Sequence, residues 1–206
     1  QKLVEIAPSP NLPAEVCQQL VDAALQLAGA ASYQGIGTFE FILDDHDAGR
    51  FYFMEANPRI QVEHTVTEQV TGVDLVHTQL QLSAGVSLAE LGLTQAPVLN
   101  GFAVQLRINL ETQHADGSIR PAAGTLSAYE PPSGPGLRVD GYGYVGYPVS
   151  PSYDSLLAKL IAHGHDYPSA LRRVYRALCE FRLEGVGHNL HLLQNLLQRP
   201  EVQSHS

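Results

Sequence analysis

The chain has 206 residues, 44% of them hydrophobic, which is enough for one large domain or two small ones with a real core. Its formal net charge of −9 argues against nucleic acid as a partner, because a phosphate backbone requires a basic surface. No apolar run is long enough to cross a membrane, and no secretory signal opens the sequence, so the expected location is cytoplasmic.

The first half of the chain predicts two helices on either side of a β-hairpin. The first helix spans about residues 11–29, with Asn11 as its cap and Gly29 at its end. Alternating phenylalanines in "GTFEFILDDHDAGRFYFMEAN" predict two strands joined by a polar turn. The second helix, in "GVDLVHTQLQLSAG", is predicted to be capped by Asp74 and closed by Gly85.

The composition changes after about residue 94. Glycine, proline, valine and tyrosine up to residue 151 predict short strands and turns, which places a domain boundary near Leu99. Two helices follow, one in "DYPSALRRVYRALCEFRLEG" and one in "HNLHLLQNLLQRP", the latter capped by Asn189 and stopped by Pro200. The predicted fold class is α+β, with domains at 1–98 and 99–206.

A row of polar side chains continues from the hairpin through "MEANPRIQVEH", where every second residue can form strong hydrogen bonds. Glu40 on the first strand and Glu55 on the second would lie side by side if the strands pair. Like charges that close destabilise a sheet unless a cation lies between them. Two carboxylates with the amide of Asn57 are hard oxygen ligands that suit Mg²⁺. The alternative is a polar hairpin face exposed to water, which is common in antiparallel sheets.

The residues beyond the strand favour a site over a solvated face. Pro58 confines the strand to an edge or ends it, so the following backbone can approach a ligand. A cation at Arg59 and an acid at Glu63, next to a metal, would form an anion site with a base.

The sequence resembles the biotin carboxylase family of the ATP-grasp fold. The resemblance runs from "GTFEF" through "FMEANPRIQVEH" to "RIN" and "SPSYDSLLAKLI", and covers nearly the whole chain. It implies the carboxy-terminal part of an ATP-grasp domain, an antiparallel sheet with helices, followed by a small β-rich biotin carboxylase C-terminal domain. It further implies that ATP is used to carboxylate biotin with bicarbonate through a carboxyphosphate intermediate, as the first half-reaction of pyruvate carboxylase or an acyl-CoA carboxylase.

The resemblance also implies roles for single residues. The implied metal ligands are Glu40, Glu55 and Asn57, and the implied ATP contacts are Glu40, Glu55 and Ile42. The implied bicarbonate pocket consists of Lys2, Arg59, Gln61, the backbone of Val62, and Glu63. Glu63 corresponds to the base that deprotonates bicarbonate. Arg107 corresponds to the arginine that stabilises the biotin enolate, and Asp154 to its ion-pair partner.

The implied cofactors are ATP, Mg²⁺ or Mn²⁺, and biotin carried on a separate domain. The implied partners are a biotin carboxyl carrier domain and a carboxyltransferase component, with a homodimer also possible. The chain lacks the family's glycine-rich lid, so it resembles a piece of a longer protein that is expected to be inactive alone. Two alternatives remain: an ATP-grasp ligase of the carbamoyl-phosphate synthetase type, and a non-catalytic scaffold for subunit contacts.

Without the resemblance, several of these residues have simpler interpretations. Arg107 would be a surface arginine of a strand, and Asp154 would cap a helix beginning in "SLLAKLI". His163 and His165 have metal-like spacing but no evident third ligand. Cys17 and Cys179 are too far apart in sequence for a metal-ligand motif, which favours a reduced protein.

Overall fold

A computed structural model describes residues 2–44, 47–113 and 116–204. Its strands are β1 (Val4–Ala7), β2 (Thr38–Asp44), β3 (Asp47–Asn57), β4 (Phe102–Asn109), β5 (Glu111–Gln113), β6 (Ile119–Pro121), β7 (Gly124–Thr125), β8 (Ala128–Glu130), β9 (Leu137–Gly141), β10 (Pro148–Val149), β11 (Leu156–Gly164) and β12 (Arg182–Glu184). Its helices are α1 (Ala14–Ala30), α2 (His64–Thr71), α3 (Leu75–Ser83), α4 (Tyr167–Glu180), α5 (Leu190–Leu197) and α6 (Pro200–Ser204). Every strand pairing is antiparallel, and the predicted α+β class is confirmed.

The chain divides into two compact units, Ser9–Leu99 and the combination of Gln1–Pro8 with Asn100–Ser206. We call them the hairpin unit and the sheet unit. The sequence places residues 2–8 with the hairpin unit, but they belong to the sheet unit because β1 pairs with β4.

The hairpin unit consists of the β2–β3 hairpin and helices α1 to α3. Asp74 caps α3 as predicted, with its carboxylate accepting a hydrogen bond from the His77 N–H at 2.7 Å. The prediction that Asn11 caps α1 is wrong, because Pro13 occupies the cap position and makes no side-chain hydrogen bond. A proline fits there since the first helical turn needs no N–H partner from it. The predicted turn between the strands falls partly on residues 45 and 46, outside the described residues.

The sheet unit is built on a four-stranded sheet in the order β1-β4-β11-β9. Helix α4 packs on this sheet through an apolar stripe at helical spacing, and its interior residues Ala170, Val174 and Ala177 are fully buried. Asp166 begins α4 with a capping box to Ser169. The predicted helix near this position, packed against a small sheet, is therefore confirmed.

Two sequence interpretations in this unit are wrong. "SLLAKLI" begins strand β11 instead of a helix, so Asp154 caps no helix. This strand is flanked by β4 and β9 and buried along most of its length, which gives a continuous apolar run without a period of two. Asn189 occupies the N-cap position of α5, but its side chain makes no capping hydrogen bond.

No helix formed by the described residues has the length and apolar character of a membrane span. Both cysteines are free thiols, Cys17 in α1 and Cys179 in α4.

Candidate functional site

A β-bulge at Met54 brings two acids of the hairpin together. Phe41 pairs with Phe53, whereas the preceding Glu40 pairs with Glu55, so Met54 is an extra residue on β3. In a regular strand Glu55 would share a face with Phe53, because the two are separated by one residue. The bulge reverses that alternation and places Glu55 opposite Glu40 on the other face.

The two carboxylates share one amide. Asn57 Nδ2 donates to Glu55 Oε1 at 2.8 Å and to Glu40 Oε1 at 3.3 Å. One nitrogen atom therefore lies within hydrogen-bond distance of a carboxylate oxygen from each acid. Gln61 Nε2 also donates to Glu40 Oε1, at 3.1 Å. Four polar side chains thus converge on one end of the hairpin.

This convergence fits a hard divalent cation. Directly opposed carboxylates repel each other, and a cation between them removes that cost. Asn57 also fits, because rotation of its planar amide exchanges the nitrogen for an oxygen at the same place. Among the described residues there is no group of three or more histidine, cysteine or acidic ligands. A site with two carboxylates and an amide leaves coordination positions for water and phosphate oxygens, as Mg²⁺ prefers; carboxylates also suit Mn²⁺.

An exposed apolar pair lies beside the acids on β2 and β3. Ile42 shares a face with Glu40 because the two are separated by one residue, and it pairs directly with Tyr52. Ile42 is 52% exposed and Tyr52 50% exposed. An apolar surface next to a metal site suits a planar base better than a phosphate.

The strand ends at Asn57, and Pro58 opens a short turn. The Arg59 N–H donates to the Asn57 carbonyl at 2.8 Å, and Arg59 Nη1 donates to the Ile60 carbonyl at 3.3 Å. The Arg59 side chain is exposed. Arg59 thus lies in the turn that follows β3, and the planar shape of its guanidinium matches a planar anion.

The segment after this turn presents an amide and an acid. Gln61 Oε1 is buried without a hydrogen-bond partner among the described residues, a cost that a ligand with a hydrogen-bond donor would remove. The Gln61 carbonyl accepts hydrogen bonds from the His64 N–H and from His64 Nδ1, which fixes the chain at Val62. Glu63 occupies the N-cap position of α2, directly after Val62.

The sheet unit holds Arg107 in a different network. Arg107 Nε donates to Glu5 Oε1 at 2.6 Å, and Gln105 Nε2 donates to Glu5 Oε2 at 2.9 Å. Lys2 is exposed and precedes β1 in this same unit, and the Arg107 N–H donates to the Leu3 carbonyl. The structure therefore groups Lys2 with Arg107.

Asp154 has a local role. It is exposed, and its Oδ1 accepts a hydrogen bond from the Leu156 N–H at 2.8 Å. It lines a cavity of about 20 Å³ together with Tyr142, Tyr147 and Tyr153. The described ion pair of Arg107 is with Glu5, and the described hydrogen bond of Asp154 is with the Leu156 N–H, so the ion pair between Arg107 and Asp154 that the resemblance implies stays a prediction.

The sequence interpretation missed three residues of the Arg107 network: Glu5, Gln105 and Asn189. Alternation in "VQLRIN" already places Gln105 on the face of Arg107, but the pairing of "VEIA" with this strand is long-range. Asn189 Nδ2 donates to the Arg107 carbonyl at 2.9 Å, and Asn189 Oδ1 accepts from the Asn109 N–H at 2.9 Å. The sequence predicted Asn189 only as a helix N-cap, and that prediction does not indicate these two hydrogen bonds.

Two family models match the chain. The model of the ATP-binding domain of the carbamoyl-phosphate synthase L chain matches residues 1–91, and that of the biotin carboxylase C-terminal domain matches residues 105–206. Residue 99 lies in the segment between the two matched ranges.

Known proteins similar to the chain are carboxylases. A pyruvate carboxylase of Aspergillus niger is 45% identical over 97% of the chain and 17% of that protein. A biotin carboxylase of Nostoc is 45% identical over 98% of the chain and 44% of that protein. A solved single-chain, multi-domain long-chain acyl-CoA carboxylase has a TM-score of 0.94 and 46% identity, over 99% of the chain and 22% of that structure. The chain thus spans less than half the length of each.

Proposed function

The chain belongs to the biotin carboxylase family, and from that premise we propose that it supplies the metal, bicarbonate and biotin residues of an ATP-dependent biotin carboxylase. The observation that carries the proposal is the direct pairing of Glu40 with Glu55, followed at once by the segment from Arg59 to Glu63. Because the chain spans part of its relatives, the proposed activity is that of a longer protein, which we call the parent carboxylase.

Glu40, Glu55 and Asn57 would hold Mg²⁺ or Mn²⁺ beside the phosphates of ATP. The bound ion neutralises phosphate charge during transfer. Ile42, with its exposed partner Tyr52, would contact the adenine. These assignments account for two acids that otherwise destabilise the hairpin.

Arg59, Gln61 and the backbone of Val62 would bind bicarbonate. Lys2, to which the family resemblance gives the same role, belongs to the sheet unit. Glu63 would remove the proton of bicarbonate, whose oxygen then attacks the γ-phosphorus of ATP. The leaving ADP takes the bond electrons, and the product is carboxyphosphate. A base in this role must lie within hydrogen-bond reach of the anion, and Glu63 follows Arg59 by only four residues in the segment proposed to bind it.

Arg107 would serve the second step, in which the biotin ureido nitrogen attacks the carboxyl carbon of carboxyphosphate. The carbon–oxygen bond to phosphate breaks, and the phosphate leaves with the bond electrons and accepts the ureido proton. The ureido oxygen becomes negative as biotin loses its proton, and a fixed guanidinium stabilises that oxyanion. The resemblance also assigns Asp154, on the loop before β11, to the biotin site, whereas its described hydrogen bond is to the Leu156 N–H. The biotin would be carried by a carrier domain and pass its carboxyl group to a carboxyltransferase component. Self-association as a homodimer is a further proposal.

A carbamoyl-phosphate synthetase type of reaction is the second candidate, because that family's ATP-binding model matches residues 1–91. Both candidates begin with phosphorylation of bicarbonate, and they differ in the acceptor. The match of residues 105–206 to the biotin carboxylase C-terminal domain favours biotin.

Isotope transfer tests the shared first step in the parent carboxylase. With ¹⁸O-labelled bicarbonate, the phosphate released from ATP should contain one bicarbonate oxygen, because that oxygen forms the new bond to phosphorus. Phosphate release without label, or at the same rate without bicarbonate, would mean that water attacks ATP and would refute the proposal.

A further inference from the structure

One face of the four-stranded sheet carries two positive side chains directly opposite each other. Arg107 on β4 pairs with Lys159 on β11, and Lys159 pairs in turn with Asp140 on β9. Residues paired in an antiparallel sheet point to the same side, so these three side chains share a face. Two adjacent cations repel, and each is therefore most stable when drawn away from the other.

Two carboxylates on the outer strands separate these cations. Glu5 on β1 accepts a hydrogen bond from Arg107 Nε at 2.6 Å, and Asp140 on β9 lies 3.5 Å from Lys159 Nζ. These four side chains follow the order negative, positive, positive, negative from β1 to β9. Asp140 also accepts two hydrogen bonds from Arg138 of its own strand, each at 2.8 Å, so its charge is shared between Arg138 and Lys159. Arg107 is thereby drawn toward β1 and Lys159 toward β9.

Glu5 is itself held firmly. Its strand partner is Gln105, whose fully buried amide donates to Glu5 Oε2 at 2.9 Å. One oxygen of Glu5 thus contacts Gln105 and the other contacts Arg107. The side chain of Glu5 is 10% exposed and that of Arg107 is 18% exposed, so water screens their contact weakly. The backbone adds a further link, since the Arg107 N–H donates to the Leu3 carbonyl at 3.0 Å.

We propose that Glu5 is a positioning residue for biotin carboxylation, which holds the guanidinium of Arg107 in the orientation needed for the biotin oxyanion. This inference rests on the role of Arg107 in the proposed function. The terminal edge of a guanidinium, formed by its two Nη atoms, is distinct from the Nε–H that Glu5 engages. An anchor at Nε therefore orients that terminal edge toward a planar acceptor. Without Glu5, repulsion from Lys159 would push Arg107 out of this position.

A double-mutant cycle in the parent carboxylase tests the inference. Glu5→Gln keeps the shape and removes the charge, and it should slow carboxybiotin formation by up to about 10²-fold, the cost of a displaced catalytic group. The loss should fall on kcat more than on the KM for biotin, and bicarbonate-dependent ATP cleavage should persist. In an Arg107→Ala background the same substitution should have little further effect, because the group that Glu5 positions is gone. Glu5→Asp should restore part of the rate.

A purely structural role predicts a different outcome. Glu5→Gln would then slow both reactions, and by the same factor with or without Arg107, which would overturn the inference. If Arg107→Ala itself leaves carboxybiotin formation unchanged, the proposed role of Arg107 fails instead. Glu130→Gln is the matched control, because it also breaks an ion pair with an arginine, Arg182, at an exposed position of the same unit.

Nuclear magnetic resonance of the 206-residue chain tests the contact between Glu5 and Arg107 independently of enzyme activity. The Nε–H proton of an arginine bonded to a buried carboxylate exchanges slowly with water. We expect a protected Nε–H signal that disappears in Arg107→Lys and becomes fast-exchanging in Glu5→Gln, with folding unchanged in the Glu130→Gln control. Equal protection of this signal in the wild-type and Glu5→Gln chains would contradict the proposed anchor.

Discussion

Glu40 on β2 is the direct strand partner of Glu55 on β3, and the bulge at Met54 creates that pairing. If the register of the Phe41–Phe53 pair continued without the bulge, Glu40 would pair with Met54 and the two acids would lie on opposite faces. Bulges often occur where a sheet must redirect a side chain for function. Two negative charges held together at a local cost are typical of a site whose cation supplies the compensation.

The first prediction separates the stability of the hairpin from its proposed metal binding. Glu55→Gln removes one of the two opposed charges. The free energy of unfolding of the metal-free chain should therefore stay the same or rise by up to about 1 kcal/mol. The parent carboxylase carrying this change should need more Mg²⁺ for half-maximal ATP cleavage. Urea unfolding in chelator and a Mg²⁺ titration measure the two effects. Asp22→Asn, which removes an exposed charge from α1, is the control and should alter neither the free energy of unfolding nor the Mg²⁺ requirement. A marked loss of stability in Glu55→Gln would contradict the interpretation.

The second prediction concerns Glu63 as the base. Glu63→Gln keeps the shape but cannot accept the proton of bicarbonate. In the parent carboxylase it should slow bicarbonate-dependent ATP cleavage by about 10²- to 10⁴-fold, the usual contribution of general base catalysis. Phosphate release is the measurement. An unchanged rate would assign the base to another residue.

The third prediction concerns Arg107 and the later step. Arg107→Ala should leave bicarbonate-dependent ATP cleavage measurable while reducing carboxybiotin formation, because the biotin oxyanion loses its positive partner. Parallel assays of phosphate release and carboxybiotin formation distinguish the two steps. Equal losses in both would assign Arg107 a structural role in the sheet unit, through Glu5 and the backbone of β1.

The fourth prediction is a pH dependence of folding. Burial, and then the nearby His191, hold the pKa of His188 below its usual value, and its Nδ1 is buried without a described partner. The unfolded chain therefore binds more protons near its own pKa of about 6.5. This contribution to stability is complete above that pH and is lost as the pH falls. Urea unfolding between about pH 7 and 5 should show a steeper loss for the wild-type chain than for His188→Gln.

His165→Gln is the matched control for this experiment. The side chain of His165 is 82% exposed and contacts Asp166, so this variant tests whether loss of any histidine, rather than of a buried one, changes the slope. The same slope in the wild-type and His188→Gln chains would contradict the proposed effect of burial.

The fifth prediction tests what Asn189 does at the start of α5. Serine is a good N-cap, so Asn189→Ser would be neutral if capping were the role. Asn189 instead bonds the Arg107 carbonyl and the Asn109 N–H, and serine is too short to bridge both. We expect Asn189→Ser to destabilise the chain by about 1–3 kcal/mol in urea unfolding, as for buried partners left unpaired. A stability equal to that of the wild-type chain would support simple capping.

The sequence predicted those parts of the structure that depend on local pattern. The hairpin follows from alternating phenylalanines, α3 from Asp74 and its apolar period, and α4 from its amphipathic stripe. The pairing of Glu40 with Glu55 was anticipated as a hypothesis, but the bulge that makes it possible has no clear local signature, since Met54 resembles any other apolar strand residue.

Long-range relationships were beyond the reach of local pattern. The contact of Glu5 with Arg107 depends on β1 pairing with a strand about 100 residues later. The pattern of "SLLAKLI" predicts a helix because a strand buried between two others has no alternation of apolar and polar residues. The roles of the site residues in catalysis stay predictions.

The central claim is that the residues of the hairpin unit and the sheet unit serve two steps of one reaction whose carboxyl acceptor is biotin. Transfer of ¹⁴C from bicarbonate to biotin by the parent carboxylase tests it most directly. We predict acid-labile labelled carboxybiotin that requires ATP and Mg²⁺ and that is reduced far more than ATP cleavage by Arg107→Ala. Bicarbonate-dependent ATP cleavage with no label in biotin, and with label recovered in a nitrogen-containing product when ammonia is supplied, would contradict the claim and support a carbamoyl-phosphate synthetase type of reaction.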